Sequence, residues 1–135
     1  MPRPILLIEI QNSLRQNLSQ HLRQEGYDVF VAGKKKEVVS LLSKKKFEVA
    51  ILGLEGLKFD GLAILRMLRQ RFPALKVLTI NTAERFDFSL ECMRLGAYDD
   101  FLIPFDLDAL MESLGEAFGV GSEQPSAWKS EQNEL

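Results

Sequence analysis

The side chains with the most capacity for chemistry follow short apolar runs of the sequence. Glu9 follows the first such run, Glu55 the third, and Asn81 with Thr82 the fourth. Carboxylate and amide oxygens can bind divalent cations, but Mg²⁺ requires near-octahedral coordination by oxygen. Glu9 and Glu55 alone therefore predict at most a weak and badly shaped cation site.

Cysteine and histidine chemistry is limited to one residue of each type, Cys92 and His21. A single cysteine forms no internal disulfide, and one Cys with one His does not supply the ligands of a zinc site. Neither residue has a sequence neighbour that would complete a catalytic dyad, and no glycine-rich phosphate loop is present. We therefore expect no enzyme activity, no metal site and no cofactor.

Composition and charge narrow the class of protein further. The 135 residues are 46% apolar and 27% charged with a net charge of -2, which is typical of one soluble domain and favours neither nucleic acid nor an anionic membrane as partner. No apolar run could span a bilayer, and the first ten residues do not resemble a signal peptide. We therefore expect a cytoplasmic protein.

Apolar runs alternate with segments of helical period along the chain. The pattern predicts strands at 4–10, 27–32, 48–52, 76–80 and 100–103, and helices at 13–26, 34–46, 61–72, 84–96 and 106–118. Asp60 is the expected N-cap of the third helix, at 61–72, and Asp106 is that of the fifth helix, at 106–118. Alternation of this kind predicts an α/β fold, a doubly wound parallel sheet with helices on both faces.

Two further features concern the ends of elements and of the chain. Lysine runs at 34–36 and 44–46 flank the second helix; we expect them to be solvated, with contact to an acidic partner or to phosphates as the alternative. Residues 1–120 are assigned to one domain and residues 121–135 to a flexible polar tail. Trp128 lies in that tail, where it either anchors the tail to this domain or to another protein, or belongs to a free end.

Two stretches resemble the receiver domain of two-component response regulators. They are "FDGLAILRMLRQRFP" at 59–73 and "MRLGAYDDFLIPFDLDAL" at 93–110, and the resemblance extends over residues 4–118. It implies a flavodoxin-like fold with five strands in the order 2-1-3-4-5. In open sheets of this kind the functional site lies at the carboxyl ends of the strands.

Transferred residue by residue, the resemblance places the phospho-acceptor at Gly53 and the metal-binding acid pair at Glu9 and Ile10. It places the Ser or Thr that ends the family's fourth strand at Asn81. It places the family's lysine, just before the proline loop after the fifth strand, at Ile103. Only Glu9 keeps the required chemical type, and glycine has no atom that could form an acyl phosphate. The sequence therefore predicts a degenerate phosphorylation pocket consisting of Glu9, Ile10, Gly53, Glu55, Asn81, Thr82 and Ile103.

Partner binding in this family usually involves the fourth helix, fifth strand and fifth helix. The fourth helix carries two apolar stripes, one formed by Phe86, Leu90, Met93 and Ala97 and the other by Phe88, Cys92 and Leu95. The resemblance implies that the first stripe faces the core. The second is then expected to face solvent or a protein partner, unless loops or the tail cover it; a homodimer is compatible with this surface.

Two functions remain open on the sequence alone. The leading hypothesis is a phosphorylation-independent pseudo-receiver that acts as a protein–protein interaction module in signal transduction. The alternative is a regulatory domain that binds a small molecule in the remodelled strand-end pocket, edged by Glu9, Glu55, Asn81 and Thr82.

Overall fold

The computed structural model describes residues 2–57 and 59–119. Strands and helices alternate strictly along this part of the chain. The strands are β1 (Pro4–Ile8), β2 (Asp28–Ala32), β3 (Val49–Gly53), β4 (Lys76–Thr82) and β5 (Asp99–Ile103). The helices are α1 (Asn12–Gln24), α2 (Lys35–Lys44), α3 (Phe59–Arg71), α4 (Phe86–Arg94) and α5 (Leu107–Ala117), and a short 3-10 turn, Ala83–Arg85, precedes α4.

The five strands form one parallel sheet in the order β2-β1-β3-β4-β5. The α/β class and the strand order 2-1-3-4-5 predicted above are thereby confirmed. β1 and β3 lie inside the sheet, so their side chains are covered on both faces, and every residue of β3 is buried. This explains why the strand sequences are continuously apolar and do not alternate with polar residues.

Two hydrophobic clusters lie on opposite faces of the sheet. One contains Leu6, Ala50 and Val77 with residues of α2, α3 and α4, and the other contains Ile5, Val49 and Leu78 with residues of α1 and α5. Adjacent strand residues thus contribute to different clusters, as the pleat of a strand requires. The carboxyl ends of β1, β3, β4 and β5 come together at one edge of this double core.

Some predicted element ends are confirmed and others are wrong. Gly26, with φ of +94°, follows α1, and the Asp106 carboxylate accepts the N–H of Asp108 at 3.0 Å as the N-cap of α5. Asp60 is not an N-cap, because it lies in the first turn of α3, and its own N–H donates to the carbonyl of Leu57 at 3.0 Å. The chain enters this helix earlier than the capping pattern indicates.

The boundaries of two strands also differ from the prediction. β1 ends at Ile8 rather than residue 10, although the N–H of Glu9 still donates to the carbonyl of Ala32 at 3.1 Å. β4 continues to Thr82, two residues beyond the predicted end. The tail at 121–135, and Trp128 with it, lie outside the described residues. In the described part of the chain, no helix has the length and apolar character to cross a membrane.

Candidate functional site

The carboxyl group of Glu9 fills the space above Gly53. A Cβ built on Gly53 would overlap Oε1 of Glu9 and would lie 2.7 Å from its Cδ. Real Cβ atoms do not come so close to other heavy atoms, so any side chain at position 53 requires Glu9 to move. Gly53 therefore provides room for a carboxyl group that comes from the neighbouring strand.

Glu9 is 1% exposed, and its two oxygens have different surroundings. Oε2 accepts the N–H of Gln11 at 2.9 Å, whereas Oε1 is buried without a hydrogen-bond partner among the described residues. Burial raises the pKa of Glu9, and the charge of Glu55 adds to that effect. Hydrogen bonds from the backbone at Gln11 and Ile10, and the charge of Arg15, act in the opposite direction.

The isoleucines at the two other degenerate positions lie in separate places. Ile10 is 40% exposed and covers Gly56, where a Cβ would overlap its side chain. Ile103 is half-buried against the cluster on the α1 and α5 side of the sheet, and its peptide bond to Pro104 is cis. Both positions present hydrocarbon where the family pattern places charge.

Mg²⁺ is the cation that the resemblance implies, and these residues do not fit it. Glu9 is the one carboxylate that β1 delivers, and it is held over Gly53 and by the N–H of Gln11. Ile10 supplies no oxygen from its side chain, and Glu55 is exposed. Within residues 2–57 and 59–119, no group of three or more His, Cys, Asp and Glu side chains could hold a metal ion. Mg²⁺, which requires near-octahedral coordination by oxygen, would therefore lack ligands at this position.

A polar network between β4, β5 and α4 was missed by the sequence analysis. The Asp100 carboxylate accepts hydrogen bonds from the Thr79 hydroxyl and from the Asn81 amide. The same amide also contacts Sγ of Cys92 at 3.7 Å. Thr79 and Asn81 are 0% and 1% exposed, so this carboxylate satisfies donors that have no access to water.

Only a weak signal for this network is present in the sequence. Asp100 is one of two adjacent aspartates at the start of β5, and nothing in the linear pattern pairs it with β4. The pairing follows from the sheet register, which places Asp100 directly beside Thr79. Asn81, which the sequence assigns to the predicted pocket, thus also belongs to a structural network.

The prediction about the two faces of α4 is wrong. Phe88 and Cys92 are buried, at 4% and 0% exposure, and Leu95 packs half-buried against the core. Burial also raises the pKa of the Cys92 thiol, as expected for an inert core cysteine. The exposed stripe is instead the one predicted to face the core; its members are Phe86, Leu90 and Met93, at 57%, 59% and 49% exposure.

Only Ala97 of the predicted core stripe is buried. The two stripes are equally apolar, so periodicity alone did not choose between them. The choice depends on how α4 sits on the sheet: Phe88 and Cys92 share one cluster with Leu54 and Val77. Two ion pairs flank the exposed stripe, Arg85 with Asp87 at 2.9 Å and Arg94 with Glu91.

A small cavity with a volume of about 240 Å³ is lined in part by residues of the predicted pocket. Its lining combines apolar, acidic and basic side chains: Leu54, Glu55, Asn81, Thr82, Glu84, Arg85 and Phe88. Oδ1 of Asn81 is buried and has no hydrogen-bond partner in the described part of the chain. The structure therefore brings Glu55, Asn81 and Thr82 together, while Ile103 is not part of this lining.

The parallel sheet in the order 2-1-3-4-5 places this chain in the flavodoxin-like class of α/β folds. The family model of the response regulator receiver domain matches residues 5–115, and this chain belongs to that family.

Curated relatives agree with this assignment. The chain is 30% identical over 118 residues to a putative NtrX-like response regulator of Rickettsia felis, covering 86% of this chain but 25% of that protein. It is 25% identical over 114 residues to sporulation initiation phosphotransferase F of Bacillus subtilis, covering 84% of this chain and 92% of that protein. The chain thus spans a quarter of the length of the NtrX-like relative.

Solved structures share the fold. A putative response regulator of Chloroflexus aurantiacus superposes with a TM-score of 0.80 at 20% identity, covering 88% of this chain and 99% of that one. The receiver domain of the TMAO respiratory response regulator TorR gives a TM-score of 0.79, also at 20% identity, with 87% and 97% of the two chains covered.

Proposed function

We propose that this domain is a pseudo-receiver that signals through protein contacts without being phosphorylated. The observation that carries the proposal is the position of the Glu9 carboxyl group over Gly53. Acyl-phosphate chemistry needs an accessible carboxylate at the strand end and a cation beside it. Gly53 offers no carboxylate, and Glu9 is 1% exposed without a set of metal ligands around it.

Phosphotransfer is tested by incubating the protein with acetyl phosphate and Mg²⁺ and measuring its intact mass. A receiver domain that carries the acceptor aspartate serves as the positive control. We expect no mass gain of one phosphoryl group under conditions that label the control. A stoichiometric, hydroxylamine-sensitive gain mapped to Glu9 or to any other acidic residue would refute the proposal.

The contact surface in this proposal is the exposed face of α4. Phe86, Leu90 and Met93 are each about half exposed or more and lie on one side of the helix. Exposed apolar patches of this kind mark interaction sites. The bordering ion pairs put both signs of charge at each end of the stripe. When the stripes of two copies face each other, neither end brings together charges of one sign only. We therefore take a second copy of the chain as the partner.

Self-association of the purified chain tests the surface, measured by sedimentation equilibrium over a range of concentrations. We expect Leu90→Lys to weaken the dimer, because an ammonium group would be desolvated in the interface. Ala63→Lys, at an exposed position of α3, is the matched control and should leave the dimer unchanged. A wild-type chain that stays monomeric throughout, or equal loss in both variants, would refute this choice of partner.

A second candidate function rests on the small cavity that residues of the predicted pocket line in part. Its volume of about 240 Å³ lies below the range of about 300–1,000 Å³ that is usual for ligand pockets, so it would take only a small ligand. Glu55 and Glu84 in the lining favour a cationic hydrogen-bond donor, such as a small amine, since Arg85 of the same lining is paired with Asp87. A thermal-shift series with small primary amines, and with matched alcohols as controls, tests it; no amine-specific rise in melting temperature would remove this candidate.

A further inference from the structure

A second groove lies at the opposite end of the sheet from the degenerate pocket. It is formed by the connection from α2 to β3 and the connection from α3 to β4, and its volume is about 410 Å³. Leu42, Phe47, Phe72, Pro73 and Leu75 provide its apolar surface. Phe47 and Leu75 are buried, whereas Phe72 is half-buried and Pro73 is exposed. The groove thus has an apolar floor that is partly open to solvent.

The border of this groove is strongly basic. Lys44, Lys45 and Lys46 line it, and the guanidinium of Arg71 lies 5.7 Å from the centre of the Phe72 ring. The ion pairs of the described residues involve neither these lysines nor Arg71. The ammonium group of Lys45 lies 5.1 Å from the centre of the Phe30 ring, which does not line the groove. Lys44 and Lys46 beside an apolar floor favour an acidic ligand that also carries an apolar side chain.

The described chain ends at the same end of the sheet as this groove, although α5 packs on the opposite face from α2 and α3. The carbonyl of Ala117, the last residue of α5, accepts a hydrogen bond from Nζ of Lys76 at 2.9 Å. Lys76 directly follows Leu75 of the groove, and its N–H donates to the carbonyl of Glu48 at 3.0 Å. Arg3 fixes the same end of α5 by donating to the carbonyl of Phe118 at 3.0 Å. The side chain of Lys76 thus connects the end of α5 to the strand that directly follows the groove.

We propose that the segment at 120–135 folds back onto this groove, with the indole of Trp128 on the apolar floor and its acidic residues beside the lysines. The segment carries Glu123, Glu131 and Glu134 against a single base, Lys129. Trp128 is the ninth residue after Gly119, and an extended chain of that length reaches about 30 Å. Charge, reach and the presence of one large aromatic side chain all agree with this occupant, and the inference does not depend on the proposed function.

Fluorescence tests the proposal directly because Trp128 is the only tryptophan in the sequence. In the full chain at low salt, we expect a blue-shifted emission relative to a peptide of residues 120–135. We also expect acrylamide quenching to be at least about twofold weaker than in the peptide, since a seated indole is shielded from the quencher. Emission and quenching equal to those of the peptide would overturn the proposal.

Two charge-reversal variants locate the contact. In the variant with Lys44→Glu, Lys45→Glu and Lys46→Glu, acrylamide should quench Trp128 as strongly as it does in the peptide. The variant with Lys34→Glu, Lys35→Glu and Lys36→Glu makes the same change in charge around the start of α2 and should quench like the wild type. Equal protection in both variants would overturn the proposal.

Three further readouts keep the result decisive. If circular dichroism shows that the first variant does not fold, quenching of the wild-type protein at about 1 M salt replaces it. Salt should screen the lysines and expose Trp128 to the quencher. Protection that is independent of salt would refute the contact with the lysines. Protection lost in Leu90→Lys but kept in the first variant would place Trp128 on α4 and overturn the proposal. Protection that vanishes on dilution would show docking onto a second copy and would also overturn it.

Discussion

The carboxyl group of Glu9 and the missing side chain of Gly53 share one space at the end of the sheet. Gly53→Ala should therefore destabilise the domain, because the new methyl group forces the buried carboxyl out of its position. Overpacking of this kind costs about 1–3 kcal/mol. Urea unfolding of the two proteins at neutral pH measures the difference.

The matched control for this prediction is Glu9→Ala, alone and combined with Gly53→Ala. With the carboxyl group removed, the methyl group at position 53 has room, so its cost should largely disappear. The cycle of four proteins then gives a coupling energy of about 1 kcal/mol or more. Additive effects would show that the two residues do not compete for space.

Gly53→Asp should not restore phosphorylation. The new carboxylate meets the Glu9 carboxyl group, and Ile10 and Ile103 leave both metal binding and charge compensation missing. Intact mass after incubation with acetyl phosphate and Mg²⁺ checks this. A variant that also changes Ile10 to Asp and Ile103 to Lys is the comparison, and efficient labelling of Gly53→Asp alone would contradict the prediction.

Glu9 makes stability dependent on pH. Its pKa is raised in the folded state above the value of 4.5, chiefly by burial, so the folded protein binds the proton more tightly than the unfolded chain does. This contribution is fully present below the unfolded pKa and is lost as pH rises through the folded pKa. Glu9→Gln should therefore gain stability relative to wild type as pH rises from about 4 towards neutrality. Urea unfolding of both proteins across that interval tests it, and a constant difference would contradict it.

Truncation to alanine should destabilise the domain much more at Phe88 than at Phe86, the two phenylalanines of α4. Phe88→Ala removes a ring from the core and should cost about 3–5 kcal/mol. Phe86→Ala, at 57% exposure, should change the free energy of unfolding by about 0.5 kcal/mol or less. Chemical denaturation of both variants measures this contrast, and similar losses would mean that the helix is turned differently.

Asp100→Ala should destabilise the domain although Asp100 is only half-buried. The substitution leaves the Thr79 hydroxyl and the Asn81 amide without their shared acceptor, and both donors are buried. Leaving such a group unsatisfied costs about 1–3 kcal/mol. Asp108→Ala, an exposed change in the first turn of α5, is the control. Equal stability of the two variants would show that the network contributes nothing measurable.

The sequence by itself determined the order of elements, the fold class and the absence of a carboxylate at position 53. Strand-length apolar runs alternating with helical periods leave few topologies other than a doubly wound sheet, and a missing carboxylate at Gly53 is visible in the sequence. The cap at Asp106 was likewise readable, because a cap depends on residues a few positions apart. Asp60 shows that such local signals can still be one or two residues off.

Tertiary structure alone decided which group fills the space above Gly53 and which face of α4 is exposed. The Glu9 carboxyl group reaches Gly53 only because β1 and β3 are neighbours in the sheet, although they are far apart in sequence. Asp100 meets Thr79 through the register of β4 and β5, and α4 buries Phe88 rather than Phe86 because of the way it packs on those strands. Each outcome depends on contacts between distant segments, whereas periodicity reports only how residues are placed within a single segment.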